Sequence, residues 1–291
     1  MSKKYKIILI SIAVVWFIGI IAWYLHAKNF AVLNPKGIVA NRERRLMLIT
    51  VLLGMIVIIP VYIMTFSFAW RYRESNKKAR YEPELAGNAV VETIWWGIPA
   101  AIILILSIIA WQSSHSLDPH RQLVSSRTPL TIQVVALDWK WLFIYPEQRI
   151  ASVNYLRIPV NTPVTFDITA DAPMNSFWVP QLGGQIYAMA GMSTQLHLMA
   201  DTPGSYEGSS ANLSGRGFAG MHFTVDATSD SEFNNWLQAS RSMPGELDAS
   251  TYRQLAKPST DVEPRQYAAV MPNLYQEILL KYMTSGASDV R

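Results

Sequence analysis

Apolar residues along this chain of 291 residues fall first into long runs and later into short ones. The long runs cover residues 7–25, 46–70 and 89–112, and each can cross a hydrocarbon core at about 1.5 Å per residue. Tryptophans stand at their borders, as at membrane interfaces. The pattern predicts a membrane region over residues 1–120, made of one span followed by a helical hairpin.

The first run, residues 7–25, has two interpretations. Lys3, Lys4 and Lys6 precede it, and a basic start before an apolar core is also the pattern of a cleaved secretory signal. The run is longer than the core of a usual signal, which has roughly 7 to 15 residues. We therefore expect a retained span, with cleavage as the alternative.

Basic residues predict the orientation of the spans. Positive charges gather before the first run and again in the loop at 71–88, so both segments are expected to face the cytoplasm. Three crossings then place the C-terminal part outside. The loop at 26–45 is also basic and would lie on the outer face, which opposes this orientation.

Short runs of β-forming residues follow, separated by Pro, Gly, Asn and Asp. They cover residues 131–136, 152–158, 163–169, 176–179, 194–199 and 220–225. This spacing predicts a β-sandwich over residues 121–228. Residues 229–291 turn polar and predict a C-terminal helical arm. Its short helices are expected at 232–241, 249–256 and 273–284.

Composition agrees with this division and narrows the function. Half of the residues are hydrophobic and the mean hydropathy is positive, as expected of a chain shared between membrane and water. The net charge of +4 is carried largely by loops beside the spans, so nucleic-acid binding is not indicated. The sequence contains no cysteine, no phosphate-binding glycine loop and no nucleophile elbow.

The most informative segment is residues 209–221, Ser-Ser-Ala-Asn-Leu-Ser-Gly-Arg-Gly-Phe-Ala-Gly-Met. With Met-Asn-Ser-Phe-Trp-Val-Pro at 174–180, it resembles the copper-binding segments of subunit II of the haem-copper respiratory oxidases. In the cytochrome c oxidase branch, two cysteines, two histidines, a glutamate and a methionine hold a dinuclear copper centre there. By this resemblance, the ligand positions fall on Asn175, Ser210, Asn212, Ser214, Phe218 and Met221. Only the methionine is kept, and serine is a poor copper ligand.

Loss of these ligands marks the quinol oxidase branch, and the chain resembles subunit II of bo-type ubiquinol oxidases over about residues 34–285. The resemblance implies a cupredoxin-like sandwich in a complex that oxidises ubiquinol, reduces oxygen to water and translocates protons. It implies subunits I, III and IV as partners, haem and copper in subunit I, and no cytochrome c. This chain would itself have no catalytic, cofactor-binding or metal-binding residue. It would be a multi-pass protein of the bacterial inner membrane, with its C-terminal domain in the periplasm.

Glu92 is a candidate for proton chemistry, because an ionisable residue inside a span is costly. The surrounding segment, Val-Val-Glu-Thr-Ile-Trp-Trp-Gly-Ile-Pro at 90–99, resembles one whose glutamate lies at the cytoplasmic mouth of a proton pathway into subunit I. The resemblance therefore implies a proton inlet. The alternative is a glutamate that favours the start of the helix through the helix dipole.

Two further groups of residues have alternative interpretations. The aromatic cluster at 138–145 resembles the segment that accepts electrons in cytochrome c oxidases. Because no copper centre is expected here to receive electrons, the cluster is expected to pack the sandwich against the membrane subunits. A mononuclear copper site of His197, Met221 and His222 is disfavoured, because a blue-copper site requires a thiolate.

Two other functions compete with an oxidase subunit of the quinol branch. A stand-alone, membrane-anchored cupredoxin-like binding module would not need Glu92 inside a span. A copper-containing cytochrome c oxidase subunit II is opposed by the residues at the ligand positions, from Asn175 to Phe218.

Overall fold

The computed structural model describes residues 30–79 and 87–286, together with isolated positions between residues 5 and 24. The first predicted span, at 7–25, therefore lies largely outside the described residues. The rest of the chain forms two compact units.

One unit, Arg42–Arg121, is built from two long helices. Helix α1 covers Ile38–Arg71 and helix α2 covers Ala89–Ser116. Both are long and apolar enough to cross a membrane, judged by length and composition. Their apolar side chains are largely exposed in the isolated chain. Such a surface is stable against lipid or other protein, as expected for the predicted hairpin.

Helix α1 begins at Ile38, earlier than the apolar run that starts at 46. Its first turns contain Arg42, Arg44 and Arg45, because helical hydrogen bonds continue through charged residues that end a hydropathy signal. Helix α2 begins where the sequence predicts it. There the side chain of Asn88 accepts hydrogen bonds from the first-turn amides, as an N-cap residue does.

The other unit, Met1–Asn41 with Gln122–Arg291, contains a β-sandwich. Its strands are β1 Leu130–Leu137, β2 Lys140–Tyr145, β3 Ile150–Val153, β4 Tyr155–Pro159, β5 Val164–Ala170, β6 Asn175–Trp178, β7 Ile186–Ala188, β8 Thr194–Leu198, β9 Gly204–Ser210, β10 His222–Thr228 and β12 Arg265–Tyr267; a separate two-stranded ribbon pairs β11 Glu246–Leu247 with β13 Ala269–Val270. The first sheet has the order β12-β3-β2-β1-β5-β8 and the second β4-β10-β9-β6-β7. Strands β1 and β5 pair in parallel, as do β4 and β10.

The run predicted as one strand at 152–158 is two strands in different sheets. The break falls at Asn154, whose backbone is left-handed with φ 53°, a conformation that asparagine tolerates better than most residues. Its side chain also forms hydrogen bonds to two different segments, β2 and the arm. It accepts from the Trp141 amide at 2.8 Å and donates to the Val262 carbonyl at 2.7 Å. The alternation alone did not reveal this corner.

The expectation that the aromatic cluster at 138–145 packs against membrane subunits is wrong for its strand, β2. Every residue of β2 is buried within this chain. Trp141 points between the sheets, with its ring centroid 5.5 Å from that of Phe177. Leu142 lies in a second hydrophobic cluster on the opposite face, which residues of the arm complete. The arm therefore occupies the surface that was expected to contact another subunit.

The arm contains helices α3 Asp230–Arg241, α4 Ala249–Leu255 and α5 Leu274–Gly286, close to the predicted helices. Ser229 and Glu232 form a capping box at the start of α3. Strand β12 adds to the edge of the first sheet by antiparallel pairing with β3. The arm thus extends the sheet and also covers its outer face.

The segment before α1 is fastened to the sandwich. The amide of Lys36 donates to the carbonyl of Gln181 at 2.7 Å, and Gly37 forms a β-bridge with Ala200. A Cβ atom at Gly37 would lie 2.8 Å from the Met199 carbonyl oxygen, so the close approach requires glycine here. The chain just before the first described span is therefore part of the sandwich unit.

Candidate functional site

The positions that the resemblance assigns to copper ligands lie at one end of the second sheet. Strand β6 supplies Asn175, the end of β9 supplies Ser210, and the loop at 211–221 connects β9 to β10. Strands β6 and β9 are paired, and the amide of Ala211 donates to the carbonyl of Ser176 at 3.0 Å. The sheet therefore brings Asn175 next to Ser210. The strand predicted at 220–225 begins at His222, as β10, because a 3₁₀ turn at Phe218–Gly220 precedes it.

Asn175, Ser210 and Asn212 form a small polar cluster. The Ser210 hydroxyl donates to the side-chain oxygen of Asn175, and both residues are buried. The Asn212 side chain donates to the carbonyl of Met174 at 3.0 Å. Buried amide and hydroxyl groups are stable when they satisfy one another in this way. The cluster presents neutral oxygen and nitrogen atoms, which are weak ligands for copper.

The remaining positions carry no copper-binding chemistry beyond one thioether. Met221 is buried in the hydrophobic core, and its carbonyl accepts from the Ser210 amide at 3.1 Å. Ser214 is tied to the turn between β1 and β2, since its carbonyl accepts from the indole nitrogen of Trp139 at 3.1 Å. Phe218 begins the 3₁₀ turn. A dinuclear copper centre needs bridging thiolates, and the chain has no cysteine. The residues present therefore do not fit that centre.

The histidines of the alternative mononuclear site lie in different sheets. His197 is on β8, where its ring is 3.1 Å from the Thr165 hydroxyl. His222 starts β10, and its ring is 3.2 Å from the Glu207 carboxylate. Among the residues that the structure describes, no group of three or more His, Cys, Asp or Glu could hold a metal ion.

Glu92 lies in the first turn of α2. Its amide donates to the carbonyl of Asn88 at 2.9 Å, and its side chain is exposed in the isolated chain. The carboxylate folds back over Gly87, where an added Cβ atom would lie 2.8 Å from it. This position places the carboxylate at the N-terminal end of the helix, where the helix dipole favours a negative charge.

Two buried charged residues that hold the arm were not predicted from the sequence. Asp171 accepts hydrogen bonds from Tyr252 at 2.6 Å, Lys281 at 2.5 Å and Tyr282 at 2.6 Å. Lys140 is buried in β2, and burial lowers the pKa of its ammonium group. In the sequence, the burial of Lys140 was indicated by its position inside an apolar run.

Comparison with known families covers both the sandwich and the arm. The family described as cytochrome c oxidase subunit II, periplasmic domain, matches residues 147–228. The family described as COX aromatic rich motif matches residues 241–286.

Individual relatives extend the match to most of the chain. The cytochrome bo(3) ubiquinol oxidase subunit 2 of Pseudomonas aeruginosa is 49% identical over 265 residues, covering 91% of this chain and 80% of that protein. The ubiquinol oxidase subunit 2 of Acetobacter aceti is 50% identical over 261 residues, covering 89% and 84%. Among solved structures, the periplasmic domain of subunit II of cytochrome oxidase of Bradyrhizobium japonicum aligns with 40% of this chain and 96% of its own length, at 24% identity and a TM-score of 0.37.

Two helices that can cross a membrane, followed by this sandwich and arm, define a membrane-anchored oxidase subunit of the subunit II class. The chain belongs to the ubiquinol oxidase subunit 2 family. The resemblance is thereby confirmed, and so is the fold class for the two apolar helices, the cupredoxin-like sandwich and the C-terminal helical arm. The preceding span at 7–25 stays a prediction.

Proposed function

We propose that this chain acts as the non-catalytic subunit 2 of a terminal oxidase that oxidises ubiquinol, reduces oxygen to water and translocates protons. One observation carries the proposal: a sandwich of the cytochrome c oxidase subunit II family here has residues at 209–221 that do not fit a copper relay. Without thiolates, the domain has no group to receive an electron from a soluble donor. Haem and copper are assigned to subunit I, where membrane quinol would deliver its electrons.

The contacts of Lys36 and Gly37 with the sandwich support the proposed topology. Because these residues directly precede α1, the start of α1 would lie on the same side of the membrane as the sandwich. Helices α1 and α2 then cross as a pair, with the basic loop at 71–88 on the other side. Positive charge favours the cytoplasm for that loop, which assigns the sandwich to the periplasm of a bacterial inner membrane. Within the basic segment at 26–45, Lys36 and Gly37 are bonded to the sandwich. The side of the membrane on which this part lies would therefore follow the sandwich and not its own charges.

The three predicted parts of the chain would divide the work. Residues 1–120 would anchor the chain beside subunit I, residues 121–228 would cap the complex on the periplasmic side, and the arm at 229–291 would fasten the cap. Subunits III and IV would complete the assembly. Cytochrome c is not a partner in this proposal, because a copper relay would be needed to accept its electron.

Glu92 is proposed as a proton inlet. In this topology, the first turn of α2 lies at the cytoplasmic end of the span, where protons are taken up. A carboxylate at this depth exchanges protons with water on one side and can pass them inward. The chain itself would contribute this group and the assembly surface, while the reaction takes place in subunit I.

The test is purification of the tagged chain from native membranes in mild detergent, with metal analysis, haem spectra and quinol-dependent oxygen uptake on one sample. Co-purified haem, quinol oxidase activity and only the copper of the oxygen-reducing site are expected. Purification without a haem-bearing partner would favour the stand-alone binding module. Two further copper ions per complex would contradict the assignment of 209–221 as a loop that cannot hold copper.

A further inference from the structure

Residues 257–262 of the arm, here called the strap, run across the loop at 211–221. One end of the strap is held by Lys140, which is buried in β2. Its ammonium group donates to the carbonyl of Lys257 at 2.9 Å and to the hydroxyl of Ser259 at 2.7 Å. Burying an ammonium group costs free energy unless its donors are hydrogen-bonded. These bonds therefore hold this end of the strap in place.

The other end of the strap is held by Asn154. The side chain of this buried residue donates to the carbonyl of Val262 at 2.7 Å. Its oxygen at the same time accepts from the amide of Trp141 in the core strand β2, at 2.8 Å. Both ends of the strap are therefore bonded to the sandwich through buried polar groups.

Between these anchors, the strap lies directly on glycines of the loop. A Cβ atom at Gly217 would lie 2.7 Å from the methyl group of Thr260 and 2.5 Å from the ring of Trp139. A Cβ atom at Gly220 would lie 2.6 Å from the carboxylate of Asp261. Gly217 is thus enclosed between an arm residue and a tryptophan of the sandwich. No side chain larger than hydrogen fits without displacing one of them.

The loop needs such an outside support. It contains Gly215, Gly217 and Gly220, and glycine loses more conformational freedom on folding than any other residue. Where a loop binds a metal, ligand bonds can provide this restraint. The ligand positions here carry no set of donors that fits copper. Bonds of Ala211, Asn212 and Ser214 to the rest of the sandwich hold the first part of the loop, whereas the glycine-rich part at 215–220 has the backbone bonds of a single 3₁₀ turn.

We propose that the strap at 257–262 fixes the glycine-rich part of the loop, residues 215–220, doing through side-chain contacts what metal–ligand bonds do in a copper-binding loop. The arm would then have a defined task, which is to keep this end of the sandwich closed and ordered. This inference concerns the chain alone and stands or falls separately from the proposed function.

Hydrogen–deuterium exchange of the full chain, purified in detergent with the subunits that accompany it, tests the proposal. Asp261→Gly removes the carboxylate that lies on Gly220. Asp261 has a left-handed backbone with φ 52°, so glycine adds no strain there. Exchange in peptides covering 211–221 is expected to become about tenfold faster, while β1 and β5 keep their protection. Glu263→Ala, at an exposed position beside the strap, is the matched control and should leave the loop unchanged.

A second variant, Lys140→Met, keeps the aliphatic stem and removes the ammonium donors of the first anchor. It is expected to speed exchange in the strap and in the loop together. If either variant loosens the strap while exchange at 211–221 stays as in the wild type, the loop supports itself and the proposal is wrong. If Lys140→Met also speeds exchange in β1 and β5, the variant has disturbed the whole sandwich. The exchange measured for Asp261→Gly then decides whether the proposal is right.

Discussion

The carboxylate of Asp171 accepts a hydrogen bond from the hydroxyl of Tyr252 at 2.6 Å, and this bond joins the end of β5 to helix α4 of the arm. The same carboxylate accepts from Lys281 and Tyr282 on α5. One buried acidic group of the sandwich therefore holds two helices of the arm. The strap at 257–262 lies between those helices in sequence, so the same bond also restrains its position.

Asp171→Ala is expected to loosen the arm by about 2 kcal/mol or more, because the Tyr252 hydroxyl would be left buried without an acceptor. Lys281 adds little, since its side chain is 58% exposed. Faster proteolysis of the arm and a lower melting temperature in detergent would show the effect. Asp167→Asn on β5 is the control, because its carboxylate accepts a hydrogen bond from the exposed side chain of Gln195. Equal proteolysis of both variants would contradict this role of Asp171.

Attachment of the arm is expected to weaken at alkaline pH. Burial raises the pKa of Tyr275, on α5, to about 12, whereas an unfolded tyrosine titrates at about 10. The unfolded state therefore loses its proton first, so stability is constant below about pH 10 and falls as the pH rises toward 12. Burial also raises the pKa of Tyr252, which acts in the same direction.

The measurement is tyrosinate absorbance together with proteolysis of the arm, as a function of pH. Tyr275→Phe removes one titrating group and should make the alkaline loss of the arm less steep. Tyrosinate formation near pH 10 by Tyr275 while the arm remains attached would show that this residue is not shielded.

Glu92→Gln is expected to lower quinol-dependent oxygen uptake by about tenfold or more, because proton transfer by a positioned carboxylate commonly contributes at least that much. Assembly and haem content should be unchanged, since glutamine keeps the size of the side chain. Glu74→Gln makes the same charge change in the neighbouring loop and serves as the control. Normal turnover in Glu92→Gln would leave only the helix-start role for this residue.

The sandwich is expected to accept copper once the missing ligands are supplied. The substitutions are Asn175→His, Ser210→Cys, Asn212→Glu, Ser214→Cys and Phe218→His, with Met221 kept. Two bound copper ions and strong visible absorption from thiolate–copper bonds are expected. The same variant without the two cysteines should show neither. Cysteine variants that fold but bind no copper would mean that these positions do not converge as the resemblance implies.

Local patterns in the residues predicted most of the elements. Apolar run length predicted the hairpin helices, alternation with turn residues predicted most strands, and polar periodicity predicted the helices of the arm. The motif at 209–221 indicated the family and the absence of copper ligands, because that information lies in the identity of residues close together in sequence. The break at Asn154 was missed, because one left-handed residue does not alter the alternation around it.

What covers each surface was decided only by the tertiary structure. Strand β2 has apolar residues on both faces. From the sequence, its outer face could be covered by another subunit or by a different part of this chain. In the structure, the arm of this chain covers it. Asp171 and Tyr252 are 81 positions apart, and Lys140 and Ser259 are 119 apart. Contacts between such distant residues depend on how the whole chain packs. No local periodicity encodes them, whereas the periodicity of each element is set by its own neighbours.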